Sequence, residues 1–143
     1  MKLTKVLLLD RFIEYNNLYF DGKLGQCEFS FLKKNESAYG TYLHRKTSSG
    51  KEKNVIMMGR CIIWNEERLR EILVHEMIHM YVETVEKKRF DGLFGHGWRF
   101  RRQCRRIRRE TGLRVRVHPH YERIDKTLEP KWWDTALTYL LDW

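Results

Sequence analysis

The sequence has few cysteines, and their spacing gives them no obvious partners. Cys27, Cys61 and Cys104 lie far apart and form no Cys-x-x-Cys motif. This spacing argues against a disulfide framework and against a zinc ribbon built on cysteines. An odd number of cysteines without a secretory segment predicts a reducing, intracellular environment.

Long hydrophobic runs are also absent from the sequence. The longest apolar run near the N-terminus covers residues 6–9 and ends at Asp10 and Arg11. It is too short for the core of a signal peptide and far too short to span a membrane. We therefore expect a cytoplasmic protein with no membrane partner. We also expect the protein to be a monomer.

The sequence contains no internal repeat, no low-complexity stretch and no obvious linker. Its 143 residues fit one domain, and an apolar fraction of 42% excludes a disordered chain. We therefore expect a single domain over residues 1–143. Its core should cover about residues 10–112, and a short C-terminal extension should cover residues 113–143.

Hydrophobic periodicity and turn signals predict an α+β fold. Four helices are predicted, over residues 3–20, 65–85, 97–111 and 132–143. Four short strands are predicted, over residues 28–32, 38–43, 54–58 and 113–117. Asn65 is a good N-cap for the second helix, and Gly112 should end the third. The second helix is apolar on most of its surface, so we expect it to be the central, buried helix.

The second helix carries a His-Glu-x-x-His motif over residues 75–79. Two residues four positions apart point the same way on a helix, so His75 and His79 can reach one metal ion. Glu76 lies beside that site without being needed as a ligand, and it can act as the general base that takes a proton from water. The motif therefore predicts a zinc site with hydrolytic chemistry.

A zinc site of this kind needs a third protein ligand. The metzincin pattern would require a glycine and a histidine at positions that Val82 and Val85 occupy, so that class is excluded. Glu83 and Glu86 lie on the same helix beyond reach of the metal. Glu110 lies off the apolar face of the third helix. His96 is the better candidate, because it stands at the start of the third helix after a loop long enough to fold back on the second.

Acidic residues are nearly absent from residues 97–116. This segment holds nine arginines and one acid, so it alone carries a net charge of +8 of the total +9. Seven of these arginines should lie on the outward face of the third helix: Arg99, Arg101, Arg102, Arg105, Arg106, Arg108 and Arg109. Arginine suits bidentate contact with phosphate, so we expect this face to bind nucleic acid. A merely solvated, solubilising face is the alternative.

Three sequence blocks resemble the SprT-like metallopeptidase family. Residues 17–24 (NLYFDGKL) are similar to its FN-x-x-YFDGKL signature, and residues 72–81 (ILVHEMIHMY) are close to its catalytic helix. Residues 95–100 (GHGWRF) look like its HG-x-x-F block. The resemblance implies that His75, His79 and His96 are zinc ligands and that Glu76 is the catalytic base. It also implies a zincin-like core with helices around a small antiparallel sheet.

The resemblance further implies protein substrates that are associated with DNA. Many members have a cysteine zinc-binding subdomain after the core, and this sequence contains no Cys-x-x-Cys motif that would form one. Two alternatives stay open, a zinc-containing nucleic-acid-binding module with little hydrolysis and a peptidase without a nucleic-acid role. His118, His120 and Tyr121 are open candidates for stabilising the transition state, and nothing in their spacing selects one.

Overall fold

The computed structural model describes residues 1–89, 91–92 and 95–130. Within these ranges the elements follow the order α1 (Lys5–Phe20), β1 (Glu28–Phe31), β2 (Gly40–Lys46), β3 (Glu52–Met58), α2 (Glu66–Thr84), α3 (Trp98–Thr111) and η1 (Lys126–Leu128), the last a 3-10 helix. This arrangement of three helices and a small sheet confirms the α+β prediction. The helix predicted over 132–143 lies outside the described residues.

The three helices agree with their predicted ranges because their ends carry clear local signals. The Thr4 hydroxyl accepts a bond from the backbone N–H of Leu7 (3.1 Å) at the start of α1. The Asn65 side chain accepts one from the N–H of Arg68 (2.8 Å) at the start of α2. Gly112 ends α3 with a left-handed φ of 80°, the conformation that favours glycine after a helix.

The sheet is mixed, so the expected antiparallel sheet is wrong in part. The strand order is β1-β3-β2, in which β2 and β3 form an antiparallel hairpin and β1 pairs parallel to β3. Residues 47–51 form the turn between β2 and β3, in which the backbone N–H of Thr47 donates to the carbonyl oxygen of Lys51 (2.7 Å). Strand β1 does not pair with β2, which follows it in the sequence. It pairs with β3 on the side of the hairpin away from β2, and this non-local pairing sets the direction of β1.

Residues 113–117 do not form the predicted strand. Their alternation arises from packing, since Val115 is buried and Leu113 and Val117 lie half-buried against the core. The backbone N–H of Arg116 bonds to the Glu71 side chain instead of to a neighbouring strand (2.8 Å).

Helix α2 is the central element of the core, as predicted. Leu69, Leu73, Met77 and Ile78 are fully buried on it, and the helix contacts α1, α3 and the sheet. Such burial stabilises each large apolar side chain by roughly 1.5–3 kcal/mol. Among the helices of the described residues, none combines the length and the apolar character that crossing a membrane requires.

Candidate metal centre

The structure brings His75, His79 and His96 together. His75 and His79 lie one turn apart on α2, with ring centroids 5.1 Å apart. His96 stands just before α3, and its ring lies 5.1 Å from that of His75 and 4.9 Å from that of His79. One ring nitrogen from each residue falls within 4.8 Å of the others. The three imidazoles can therefore hold one metal ion.

Burial keeps the imidazoles of His75 and His79 in the neutral form that binds metals. Desolvation, together with the nearby His96, lowers the pKa of His75 to about 3. Desolvation and its histidine neighbours also hold the pKa of His79 well below its ordinary value. Both rings are neutral at physiological pH, so each keeps a lone pair available for coordination.

The orientation of the nitrogens fits a cation between them. Nε2 of His75 lies 3.2 Å from Nε2 of His96, and Nδ1 of His75 lies 3.2 Å from the carbonyl oxygen of Arg116. A carbonyl oxygen only accepts, so Nδ1 of His75 carries the proton and Nε2 presents a lone pair toward Nε2 of His96. A shared cation can accept the lone pairs that converge there, and three imidazoles are a donor set that suits zinc.

Glu76 is a buried carboxylate beside the histidines. Its side chain is 5% exposed, and its Oε2 atom has no hydrogen-bond partner among the residues that the structure describes. Desolvation raises the pKa of Glu76 to about 8. Its position after His75 directs it into the hollow that the histidines line. A carboxyl group in this environment can hold and release a proton near neutral pH.

Asp91 holds the start of α3, and with it His96, in place. The Asp91 carboxylate accepts the backbone N–H groups of Arg99 (3.2 Å) and Phe100 (2.7 Å), two orphan donors at the start of α3. Its carbonyl accepts the N–H of Gly97 (2.8 Å). Asp91 therefore caps α3 from outside the helix and fixes the backbone that follows His96.

Both glycines around His96 are required by close packing. Gly95 has φ of +73°, and a Cβ there would lie 3.1 Å from the ring of His79. A Cβ on Gly97 would lie 2.5 Å from Oδ1 of Asp91. The Gly-His-Gly sequence thus lets the backbone lie close to His79 on one side of His96 and to Asp91 on the other, while the His96 imidazole points toward the other two histidines.

Phe100 forms the floor of the histidine cluster. Its side chain is fully buried, and its ring centroid lies 4.7 Å from His75, 4.5 Å from His79 and 4.9 Å from His96. The phenylalanine of the GHGWRF block therefore excludes water from the protein side of the site.

The three candidates for transition-state stabilisation occupy different places. The His118 ring lies 5.5 Å from that of His96, next to the cluster. The Tyr121 hydroxyl donates to the Glu71 carboxylate instead of facing the histidines. His120 is exposed, with its Nε2 atom 4.0 Å from Glu129. Of the three, only His118 is adjacent to the candidate metal ligands.

A hollow of about 370 Å³ opens over the cluster. Its lining includes the three histidines, Glu76 and the start of β2 at residues 40–42. Strand β2 is an edge strand of the three-stranded sheet. The histidines, the carboxylate and an open strand edge therefore face one cleft.

The seven predicted arginines of α3 do not form one uniform outward face. Arg99, Arg101 and Arg106 are half-buried. The Nη2 atom of Arg106 donates to the carbonyl oxygen of Tyr19 (2.7 Å). The Nε atom of Arg101 donates to the carbonyl oxygen of His96 (2.9 Å). Arg102 pairs with Glu86 (2.6 Å), and the guanidinium groups of Arg99 and Arg102 each lie 4.7 Å from the ring centroid of Trp98. These four arginines therefore have contacts within the protein.

The other three arginines of the predicted set point to solvent. Arg105, Arg108 and Arg109 are exposed and make no ion pair with any residue of the described ranges. Arg114, after the helix, is also exposed. This smaller set is the part of the basic surface that remains available to an anionic partner.

A comparison with family models agrees with the geometry of the site, whereas the comparison with curated proteins finds no match. The model of the SprT-like family matches residues 8–119, which include most of α1, the sheet, α2, α3 and all three clustered histidines. The match covers well over half of the chain, and it confirms the resemblance seen in the sequence blocks. The chain belongs to the SprT-like family.

Proposed function

We propose that this protein is a zinc-dependent peptidase that cleaves proteins associated with DNA. The observation that carries the proposal is the convergence of three histidines, two of them kept neutral by burial, in an open cleft. Beside them lies a buried carboxylate whose Oε2 atom has no hydrogen-bond partner among the described residues. Membership in the SprT-like family supports metallopeptidase chemistry at this site.

His75, His79 and His96 would hold the zinc ion, each through one ring nitrogen. Three protein ligands and an open position are the usual arrangement of catalytic zinc. When bound, zinc acts as a Lewis acid that polarises a carbonyl and makes water a better nucleophile.

Glu76 is the general base and then the general acid. It takes the proton of the attacking water as that water's oxygen bonds to the peptide carbonyl carbon. It then gives the proton to the amide nitrogen as the carbon–nitrogen bond breaks. Its Oε2 atom supports this role, because it lies buried in the cleft without a hydrogen-bond partner among the described residues and is therefore available to accept and return the proton.

The substrate lies along the edge of β2 as an added strand. Residues 40–42 line the cleft, and an edge strand offers backbone N–H and C=O groups to an extended peptide. Backbone pairing would hold many sequences alike, which suits a peptidase acting on varied proteins.

DNA contacts the exposed arginines at the C-terminal half of α3. Arg105, Arg108 and Arg109 are the members of the predicted set that the protein does not use internally. They lie on the same helix that begins beside His96, so a DNA strand held there would bring its bound proteins near the cleft.

The decisive experiment compares cleavage of a DNA-binding protein by the parent and by Glu76→Gln. The substrate is offered both free and bound to DNA, and each reaction is run with and without a chelator. Glu76→Gln should keep the fold and the zinc content but lose cleavage, because an amide cannot accept the proton. The parent should lose cleavage with the chelator. Equal cleavage by parent and variant would exclude Glu76 as the base.

The nucleic-acid part is tested separately by the salt dependence of DNA binding. Replacing Arg105, Arg108 and Arg109 together by Ala should reduce the log–log salt slope by roughly two to three, because each phosphate that is no longer neutralised lowers the slope by about 0.7–0.9. Replacing the exposed Lys33, Lys34 and Lys51 by Ala removes the same charge elsewhere and is the control.

The two alternatives predict different outcomes of these experiments. A zinc-containing nucleic-acid-binding module would bind DNA in a salt-dependent way but cleave no substrate in any condition. A peptidase without a nucleic-acid role would cleave free, unstructured protein, and the arginine triple variant would bind DNA no more weakly than the lysine control.

A further inference from the structure

The buried carboxylate of Glu71, outside the histidine cluster, binds Arg116, the residue whose carbonyl oxygen contacts His75. Glu71 lies on α2 one turn before His75 and is 6% exposed. Its carboxylate accepts the backbone N–H of Arg116 (2.8 Å) and the Nε and Nη2 atoms of the Arg116 side chain (3.0 and 2.8 Å). Three donors of a single residue therefore converge on one carboxylate.

Arg116 spans two successive turns of α2. Its N–H and guanidinium bind Glu71, while its carbonyl oxygen faces Nδ1 of His75 at 3.2 Å. Residues 113–117 pair with no strand of the described residues, so no sheet ladder within that part of the chain holds this carbonyl in position. Any slippage of residue 116 along α2 would break the bonds to Glu71 and the contact with His75 together.

Tyr121 contacts both Glu71 and Arg116 and stabilises their interaction. Its hydroxyl donates to Glu71, and the Arg116 guanidinium lies 5.1 Å from its ring centroid. Its own backbone is tied to Tyr39, whose hydroxyl donates to the Tyr121 carbonyl and accepts its N–H, both at 2.9 Å. The Glu71 carboxylate is thus held in one orientation, which makes the position of Arg116 well defined.

We propose that Glu71 and Arg116 are positioning residues for His75, which set the ring nitrogen that carries its proton and the direction in which Nε2 faces. The Arg116 carbonyl accepts from Nδ1, so Nε2 is left to bind metal. Outer partners of metal-binding histidines commonly act in this way, and losing one costs about 10–100-fold in metal affinity. This inference rests on the proposed metal site.

A second clamp of the same design provides a matched control. Glu129 accepts the backbone N–H of Arg123 (2.6 Å) and its Nη1 atom (3.1 Å), again with one carboxylate on one arginine. It fastens the chain after Arg116 but touches none of the three histidines. Glu129→Gln therefore loosens the fold by the same chemistry without reaching His75.

The test measures zinc affinity by chelator competition for the parent, Glu71→Gln and Glu129→Gln, with thermal unfolding alongside. Glu71→Gln should bind zinc about 10–100-fold more weakly, whereas Glu129→Gln should bind it as the parent does, even where both unfold at lower temperature. Equal zinc affinity in all three proteins, or an equal loss in both variants, would overturn the positioning role.

Two further variants keep the test valid if Glu71→Gln does not fold. The Arg116 side chain is 38% exposed, so Arg116→Ala removes the guanidinium while the core and the backbone N–H bond to Glu71 remain. Zinc affinity should fall in Arg116→Ala and recover in part in Arg116→Lys, which restores the charge but not the forked geometry. Parent-like affinity in Arg116→Ala would refute the role of its side chain.

The tautomer of His75 gives a readout that does not depend on metal. Nitrogen-15 NMR of the metal-free parent should show the His75 proton on Nδ1, and Glu71→Gln or Arg116→Ala should shift it toward a mixture. If the parent binds no zinc, the metal site fails as a proposal and this measurement alone decides. The same tautomer in the parent and both variants would overturn the inference.

Discussion

Replacing Asp91 by Ala tests whether a residue outside the helix caps α3. The change removes the carboxylate that accepts the backbone N–H groups of Arg99 and Phe100. Gly97, the residue at the N-cap position, has no side chain to take over. Phe100 is fully buried, so its amide would be left without an acceptor in a dry environment.

The structure gives the size of the expected loss. A hydrogen bond to a charged group contributes about 1.5–3 kcal/mol, and removing a helix N-cap costs about 0.5–2 kcal/mol. The two bonds are one cap and do not add fully, so we expect Asp91→Ala to lower the free energy of unfolding by about 2–4 kcal/mol. For a chain of this size this corresponds to roughly 10 °C in melting temperature.

Urea unfolding of the parent, Asp91→Ala and Asp91→Asn measures the effect. Asn keeps one side-chain oxygen for the Phe100 amide and should lose about half as much free energy of unfolding. Zinc affinity should fall in the same order, since His96 lies between Asp91 and the helix it caps. If Asp91→Ala unfolds at the same urea concentration as the parent with the same slope, the cap is not a stabilising contact.

Three further predictions follow from close contacts and from charge. Gly97→Ala should destabilise the fold and weaken zinc binding, because its Cβ would meet Asp91 at 2.5 Å; unchanged unfolding and zinc titrations would contradict this. Gly40→Val should reduce cleavage while zinc content stays constant, because a Cβ there would already lie 3.2 Å from Cγ of Glu76; metal analysis beside a rate assay checks it. The pKa of Glu71 lies below its ordinary 4.5, since its hydrogen bonds to Arg116 and Tyr121 outweigh desolvation, which acts the other way. Its stabilising effect is therefore complete above about pH 4.5 and lost as pH falls through the lowered pKa, so the stability deficit of Glu71→Gln should shrink in acid unfolding curves.

The parts of the fold that the sequence predicts well are those with local causes. Asn65 and Gly112 mark helix ends through contacts within a few residues, and the spacing of His75 and His79 follows from the helix itself. His96 required more, since a loop had to return it to α2. The length of that loop favoured His96 as the third ligand, and the resemblance to the family implied the same residue.

The parts that the sequence does not predict depend on distant partners. The direction of β1 is set by its pairing with β3, which is not its neighbour in the sequence. The alternation of apolar and polar residues over 113–117 does not distinguish a strand from a segment that packs on helices. The bonds between Glu71 and Arg116 join positions 45 apart. Only the spacing of Glu71, four residues before His75, hinted that it shares the same face of α2.

The division among the arginines of α3 also needed the structure. A helical wheel separates apolar from charged positions, but it does not show that the His96 carbonyl lies within reach of Arg101. Variants that remove Arg101 to test DNA binding would therefore also disturb a metal ligand, whereas Arg105, Arg108 and Arg109 avoid this confusion.

The position of β2 at the edge of the sheet carries a risk of self-association. An edge strand that accepts a substrate peptide can also accept the edge of a second copy, and such pairing is a common start of aggregation. The far end of β2 limits this risk, because Arg45 and Lys46 are exposed there and would repel the same residues of another molecule. The uncharged end, at residues 40–42, opens into the cleft, so protection against aggregation and access for substrate are separated along one strand.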